Sequence, residues 1–347
     1  MNSKKDDTAE FMHQSNPWKW FLAIAVLLVI GMISFGLYLT NSKTENVSDA
    51  ELLIYPEDDI NSLKTKLINS GVISKNNTSF MAFSKSLKYI DNIKMGRYVI
   101  KPNMSIIGLV RKLRAANQQP VKLVITNART ADEFAAKISK SLMITQNDVI
   151  SAIDKKGFKY ANEIFEYVIP DTYEVYWNIN ADDLLNKLNK ESDKFWQKNK
   201  EKLKLLNLTK EDAVILASIV TEETNKKDEM PVIAGVYINR LNKNMLLQAD
   251  PTVKFAVGDF SIKRVTGKHL QIDSPFNTYK NAGLPPAPIC LPSADALMSV
   301  LKYNKHDYIY FCAKEDFSGY HNFAKTPEQH LQNANRYRQA LNQRGIH

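Results

Sequence analysis

One apolar run in this chain stops abruptly at two carboxylates. Residues 213–220 carry no charge, and Thr221 separates them from Glu222 and Glu223. Eight uncharged, mostly aliphatic residues predict a helix that is packed on every side. A glutamate at its end would lie where packing gives way to a cleft, and partial loss of water there raises the pKa of a carboxyl group towards the range that a general acid needs. Taken alone, the segment fits equally well a surface acidic pair that ends a core helix.

Three polar motifs that contain proline follow the apolar run and could supply ligand-binding groups. Proline fixes the backbone of a loop, and a rigid loop holds a binding side chain accurately. Ordinary structural turns are the alternative interpretation. The motifs are Q-A-D-P-T at 248–252, S-P-F-N-T-Y at 274–279 and G-L-P-P-A-P-I at 283–289.

Several common kinds of site are not predicted. The chain has no G-x-G-x-x-G or Walker loop, so we do not expect nucleotide binding. Cys290 and Cys312 lack C-x-x-C spacing and the six histidines include no H-E-x-x-H, so we expect no metal and no other cofactor. The net charge of +9 is spread over many lysines, which fits an anionic polymer or a membrane surface at least as well as nucleic acid. No basic-aromatic motif is present, and we expect no nucleic-acid partner.

The pattern of apolar residues predicts an α+β fold. A weak repeat at an offset of 71 residues, in which Leu53 and Ile54 match Val124 and Ile125, predicts two copies of a strand followed by two helices. Later helices are predicted over 183–205, from a Thr209–Asp212 capping pair to Glu223, over 230–241 and over 327–344, with a buried strand over 308–313 paired to 321–323.

Residues 18–39 differ from the rest of the chain. Only Lys19, at the edge, is charged, and about 20 apolar residues cross a bilayer as a helix. A cleaved signal peptide is the alternative, but its apolar core is only about 7–15 residues long. The lysines before the span outnumber those just after it, which predicts a cytoplasmic N-terminus and an extracytoplasmic bulk. They are Lys4, Lys5 and Lys19 before the span and Lys43 after it.

A set of motifs in order makes the chain resemble the endolytic murein transglycosylase family (MltG, YceG-like). The similarity extends over essentially the whole region after the apolar span. The motifs are A-S-I-V-x-x-E-T at 217–224, V-Y-I-N-R-L at 236–241, Q-x-D-P-T-V at 248–253, S-P-x-N-T-Y at 274–279, G-L-P-P-x-P-I at 283–289, H-x-F with T-x-x-x-H at 321–330, and P-D-T-Y at 170–173.

The resemblance implies a membrane anchor, a small LysM-like α/β module and a mixed α+β catalytic domain that cleaves peptidoglycan glycan strands. The corresponding ranges are a cytoplasmic tail at 1–17, a transmembrane helix at 18–39, a linker at 40–50, the LysM-like module at 51–120 and the YceG-like catalytic domain at 121–347, with a connecting subregion at 121–208 and a catalytic core at 209–347.

In the family, the catalytic acid and base is a glutamate at the end of the apolar helix, commonly within E-x-E-T. This chain has Thr221 in place of the first glutamate, and Glu223 keeps the register of the second. The resemblance therefore implies that Glu223 is catalytic, with Glu222 as the fallback acid. A second departure lies at 127–130, where many relatives carry Glu-Gly and this chain has N-A-R-T; its distance along the sequence predicts no effect on activity.

The implied reaction is lytic: the bond between N-acetylmuramic acid and N-acetylglucosamine breaks without water, and a 1,6-anhydro end forms. Residues with suitable hydrogen-bonding groups are expected to bind the sugars and amides. They are Gln248, Asp250, Thr252, Asn277, Thr278 and Tyr279. Asp250 also fits a simple cap of the turn before Pro251, and the roles of His321 and His330 stay open.

The implied partners are peptidoglycan glycan strands, the cytoplasmic (inner) membrane, glycan-polymerising synthases and divisome proteins. The enzyme would be a terminase of glycan elongation, with its catalytic domain in the periplasm or its equivalent. The alternative is a non-catalytic scaffold that binds peptidoglycan through the LysM-like module. The two hypotheses differ in whether Glu223 is required.

Overall fold

The computed structural model describes residues 17–345 with the exception of 263, so the tail that carries Lys4 and Lys5 lies outside the described residues. The chain divides into two compact units, Met1–Gln119 and Pro120–His347. The elements of the first unit are α1 (Pro17–Asn41), β1 (Ala50–Ile54), α2 (Ile60–Asn69), α3 (Ser79–Ser86), β2 (Gly96–Ile100) and α4 (Ile106–Arg114).

The first unit surrounds a two-stranded antiparallel sheet in which Leu52 of β1 lies opposite Tyr98 of β2. Alternate residues of both strands are buried against the helices, as a half-buried strand requires. The helix starts are set locally, because Asp59 caps α2 and Ser105 caps α4 through their side-chain oxygens. The LysM-like identity of residues 51–120 stays a prediction.

Helix α1 is apolar throughout most of its length. Residues 18–41 have a mean hydropathy of 2.6, and none of this segment is buried in the protein. A membrane span and a signal sequence both have these properties, so the helix is compatible with either.

The second unit carries the motifs singled out above. Its elements are β3 (Val121–Val124), α5 (Ala131–Ser139), α6 (Gln146–Asp154), a 3-10 helix (Ala161–Tyr167), β4 (Thr172–Val175), α7 (Ala181–Leu206), α8 (Lys210–Glu223), α9 (Met230–Asn242), α10 (Asp250–Val257), α11 (Gly267–Leu270), α12 (Ala294–Leu301), β5 (Tyr310–Ala313), β6 (His321–Ala324) and α13 (Pro327–Gln343).

The predicted repeat and the α+β class are confirmed. Each copy is a strand, two helices and a second strand that pairs antiparallel with the first, β1 with β2 and β3 with β4. The second copy inserts the 3-10 helix before its closing strand. This copy and the start of α7 enclose one core of the second unit, while α8, α9 and α12 enclose another.

Helix α8 runs through the second of these cores. Its start is a capping box in which the backbone N–H of Thr209 donates to the Asp212 carboxylate and the Thr209 hydroxyl accepts from the Asp212 N–H. All residues from 213 to 220 are buried. Ser218 fixes a neighbouring loop, because its hydroxyl accepts from the backbone N–H of Ile289 at 3.1 Å.

The predicted buried strand over 308–313 is partly wrong. Strand β5 begins at Tyr310, and all four of its residues are half-buried. It belongs to a two-stranded sheet with β6, so neither face is enclosed by a second sheet. Phe311 packs towards Tyr237 of α9, whereas Tyr310 stacks on His330 of α13.

Candidate active site

Glu223 is the last residue of α8 and is partly buried. The phenolic hydroxyl of Tyr237, which lies on α9 and is 1% exposed, donates to Glu223 Oε1 at 2.5 Å. Tyr237 is held in turn by an edge-on contact with the ring of Phe311. One carboxylate oxygen of Glu223 is therefore held by a hydrogen bond from inside the protein.

Burial raises the pKa of Glu223 from 4.5 to about 7. The hydrogen bond from Tyr237 and the charges of His321 and Lys254 lower it, while the Asp250 carboxylate raises it. The carboxyl group also lies at the C-terminal end of α8, where the partial negative charge of the helix dipole disfavours an anion. Glu223 is thus poised to hold and release a proton near neutral pH.

A cavity of about 240 Å³ opens in front of Glu223. We call it the Glu223 cavity. It is lined by Glu223, Arg240, Leu247, Gln248, Asp250, Tyr279, Phe311, Cys312, Ala313 and His321. Three of the six residues predicted to bind substrate, Gln248, Asp250 and Tyr279, line it together with the predicted acid.

Gln248 reaches the cavity from a strained backbone position. Its φ of 50° lies in the left-handed region, which a residue with a long side chain adopts only when its surroundings impose it. Arg240 holds this segment, because its guanidinium donates to the carbonyls of Leu246 and Leu247 and to Gln248 Oε1 at 3.1, 2.9 and 3.2 Å. Strain of this kind is typical of positions where a side chain must point at a ligand.

Asp250 and Tyr279 form a hydrogen-bonded pair on the same wall. The hydroxyl of Tyr279 donates to Asp250 Oδ1 at 2.6 Å. Burial and this hydrogen bond raise the pKa of Tyr279, so the phenol stays neutral. The pair presents a carboxylate and an aromatic face, both of which suit a sugar.

Thr252, Asn277 and Thr278 lie behind the cavity wall, at most 1% exposed. The hydroxyl of Thr278 accepts from the backbone N–H of Ala249 at 3.0 Å and lies 2.9 Å from the hydroxyl of Thr252. The Asn277 amide donates to two backbone carbonyls of the α11 region. These contacts join the 248–252 loop to the 274–279 loop, which carry Gln248 and Tyr279, and the predicted substrate-binding role of the three residues stays a prediction.

His321 of β6 faces the Glu223 cavity and is held by Glu229. Its Nδ1 lies 2.8 Å from Glu229 Oε2, and its backbone N–H donates to Glu229 Oε1 at 2.7 Å. Glu229 is only 5% exposed. His330 does not line this cavity; its ring stacks on Tyr310, and burial lowers its pKa.

Glu222 points elsewhere. Its Oε2 lies 3.4 Å from Arg129 Nη2, and it lines a separate cavity of about 650 Å³ that shares no lining residue with the Glu223 cavity. The N-A-R-T segment thus lies beside the end of α8 in space, while its expected lack of effect on activity stays a prediction. Arg129 is far from the α8 end in sequence, yet it contacts the residue next to Glu223.

Three residues of the site were not singled out from the sequence. Tyr237 and Arg240 lie within V-Y-I-N-R-L, three positions apart on α9, and Glu229 is the residue that precedes that helix. The available signal was the spacing of a tyrosine and an arginine on one face of a helix that follows the acid. The pairing of Glu229 with His321, 92 residues away, left no signal in the sequence.

Comparisons with known proteins give matches both by sequence and by structure. The sequence profile described as the YceG-like family matches residues 52–336. The chain is 28% identical over 300 residues to an endolytic murein transglycosylase of Bacillus subtilis, covering 79% of this chain and 82% of that protein. It is 27% identical over 309 residues to an endolytic murein transglycosylase of Streptococcus pneumoniae, of which it spans 56%. A crystal structure of a YceG-like protein from Listeria monocytogenes matches with a TM-score of 0.53 at 30% identity, covering 84% of this chain and 99% of that one.

Proposed function

The chain belongs to the YceG-like family, and from this premise we propose that it is a lytic transglycosylase that cleaves the glycan strands of peptidoglycan within the strand. The observation that carries the proposal is Glu223, a carboxyl group with a pKa near 7 at the end of a buried helix, facing a polar cavity. The names of the bacterial relatives supply the substrate class.

In the first step, protonated Glu223 donates its proton to the bridging oxygen between N-acetylmuramic acid and N-acetylglucosamine. The bond from that oxygen to C1 of N-acetylmuramic acid breaks, and positive charge develops at C1. The acetamido group of the same sugar can stabilise that charge. This step needs a carboxyl group that is still protonated near neutral pH, which burial provides for Glu223.

In the second step, the C6 hydroxyl oxygen of the same sugar bonds to C1 and closes the 1,6-anhydro ring. A base must accept the hydroxyl proton. Glu223 is by then a carboxylate and can act as that base, which returns it to its starting state. No water is consumed, which distinguishes this reaction from hydrolysis by two carboxylates.

The remaining cavity residues are proposed to hold the sugars. Gln248 supplies a carboxamide, and the Asp250–Tyr279 pair supplies a carboxylate and a ring face. Thr252, Asn277 and Thr278 keep these groups in place from behind. Glu222 takes no part, because its carboxylate faces Arg129 in the other cavity.

The test is digestion of uncross-linked peptidoglycan by the full chain in detergent, with the products identified by mass spectrometry. The wild type should release fragments that end in 1,6-anhydro-N-acetylmuramic acid. Glu223→Gln should lower the rate at least about 100-fold, because general acid catalysis is lost. Glu222→Gln is the matched control and should stay near the wild-type rate. Reducing ends in the wild-type digest would make the protein a hydrolase, and a fully active Glu223→Gln would overturn the assignment of Glu223 as the acid. A Glu223→Gln variant that fully rescues the cellular phenotype of a deletion, without releasing fragments, would favour the scaffold hypothesis.

We further propose that α1 anchors the enzyme in the cytoplasmic membrane with the second unit outside the cytoplasm, where peptidoglycan lies. The length and hydropathy of α1 support this placement. Synthases and divisome proteins are the proposed partners, because a terminase must act on strands as they are polymerised.

A further inference from the structure

The second step of the proposed reaction requires a base near the C6 hydroxyl. If Glu223 acts alone, it must first donate a proton to the bridging oxygen and then accept one from a different oxygen of the same sugar. A second proton acceptor in the same cavity would remove this requirement. His321 is such a group, because it lines the Glu223 cavity.

The ring of His321 is oriented by a buried carboxylate. Glu229 Oε2 accepts from Nδ1 at 2.8 Å, so whenever the imidazole is neutral its hydrogen lies on Nδ1 and its Nε2 is an acceptor. Glu229 is fixed by the backbone N–H of His321 and is approached by the Thr224 hydroxyl at 3.4 Å. A carboxylate that holds an imidazole in one tautomer and stabilises its cation is the arrangement found in many enzymes with a histidine base.

The open nitrogen of His321 is Nε2. Within the part of the chain that the structure describes, Nε2 makes no hydrogen bond, and the side chain, which lines the cavity, is 14% exposed. The ring plane is fixed by an edge-on contact with Phe311, which also lines the cavity. Glu229 and Thr224 lie in the link that follows α8, so the segment that orients His321 is joined directly to Glu223.

We propose that His321 Nε2 is the base for ring closure. Glu223 gives its proton to the bridging oxygen as the bond from that oxygen to C1 breaks. The C6 oxygen bonds to C1, and its proton moves to Nε2, where the Glu229 carboxylate stabilises the imidazolium. The imidazolium then returns the proton to the Glu223 carboxylate through solvent, so that no proton is consumed overall. This inference rests on the proposed lytic activity.

The test is His321→Asn in the full chain, assayed by the same product analysis. The asparagine amide can take the place of Nδ1 and keep Glu229 partnered, while Nε2 alone is lost. Formation of 1,6-anhydro ends should fall about 100-fold, within the usual contribution of a general base. Reducing ends should appear, because water can compete for C1 when the C6 hydroxyl is not activated. His330→Asn, which changes a histidine outside the cavity, should leave both the rate and the products unchanged.

A second variant distinguishes loss of the base from misfolding of His321→Asn. Glu229→Gln keeps the shape of the side chain and removes its charge, and it should shift the products in the same direction. The proposal is refuted if His321→Asn makes anhydro ends within about threefold of the wild-type rate. It is also refuted if cleavage falls while every product end stays anhydro, since a structural role alone would give that result. A wild type that makes no anhydro ends would instead refute the lytic activity.

Discussion

Burial sets the proton affinity of Glu223 more than neighbouring charge does. Loss of water is the largest influence on its pKa, and the cationic and anionic neighbours partly oppose each other. Glu222, one residue earlier, is directed by the helix turn to Arg129 and another cavity. The chemistry of the site therefore depends on which side of the α8 terminus a glutamate occupies.

The raised pKa of Glu223 predicts a pH-dependent effect on stability. Between pH 4.5 and about 7 the folded protein holds a proton that the unfolded chain has lost, so the free energy of unfolding falls as pH rises through this window. Glu223→Gln removes this contribution, and its stability relative to wild type should increase by about 3 kcal/mol from pH 4 to pH 8. Thermal unfolding at both pH values measures the difference. Glu222→Gln is the control, and a pH-independent difference for Glu223→Gln would contradict the assigned burial effect.

Tyr237→Phe should move the pH dependence of the reaction. The hydrogen bond from Tyr237 lowers the pKa of Glu223, so its removal should raise that pKa further and extend the protonated, active form to higher pH. The measurement is kcat/KM against pH, in which the alkaline limb should shift upwards. Tyr303→Phe, which changes a tyrosine packed on the same core, should leave the limb in place. A downward shift in Tyr237→Phe would mean that the hydroxyl does not donate to Glu223.

At the scale of elements, the site depends on two loops joined to one helix. Arg240 of α9 holds the 246–248 backbone, and Thr278 joins this loop to the 274–279 loop through Ala249 and Thr252. Because the same helix also carries Tyr237, a shift of α9 would displace both the hydroxyl that donates to Glu223 and the 246–248 backbone.

The strained backbone at Gln248 predicts that substitutions there change the stability and the activity of the protein separately. Glycine adopts a φ of 50° without strain, so Gln248→Gly should be more stable than Gln248→Ala by about 1 kcal/mol. Both variants lack the carboxamide and should turn over more slowly, and unfolding and product-release assays measure the two effects. Asn244→Gly, at a φ of 52° in the turn after α9, is the control and should keep full turnover. Equal stabilities of the glycine and alanine variants would show that position 248 is not strained.

Local signals explain which elements could be predicted from the sequence. The capping pair Thr209–Asp212 and the uncharged run that follows are adjacent in the chain, and they define α8 and place a glutamate at its end. The contacts of that glutamate are not local, because Tyr237 lies 14 residues away and the Glu229–His321 pair spans 92. The type of a residue also does not show where its side chain points. The Asn277 amide has groups that could bind a sugar, but it donates to two backbone carbonyls instead.

At the scale of the whole molecule, the β-α-α-β pattern occurs once in each unit. In the second unit its sheet and helices form a core separate from the one that surrounds α8. The acid and its cavity therefore depend on packing among helices, while the repeat supplies an adjoining scaffold. A substitution in the first unit, such as Leu63→Ala, removes buried apolar volume there and is expected to destabilise that unit by about 2–5 kcal/mol.

The apolar helix α1 gives the last prediction, which concerns where the reaction takes place. A helix with a mean hydropathy of 2.6 and no buried residues in its apolar window is long and apolar enough to cross a membrane. The full chain should therefore remain in the membrane fraction after a high-salt wash, and a variant that lacks residues 18–39 should not. A reporter fused after residue 347 should be active only in a form that requires export, and protease added to spheroplasts should digest residues 41–347. Digestion only from the cytoplasmic side would place the Glu223 cavity away from peptidoglycan, and the proposed reaction would then have no substrate.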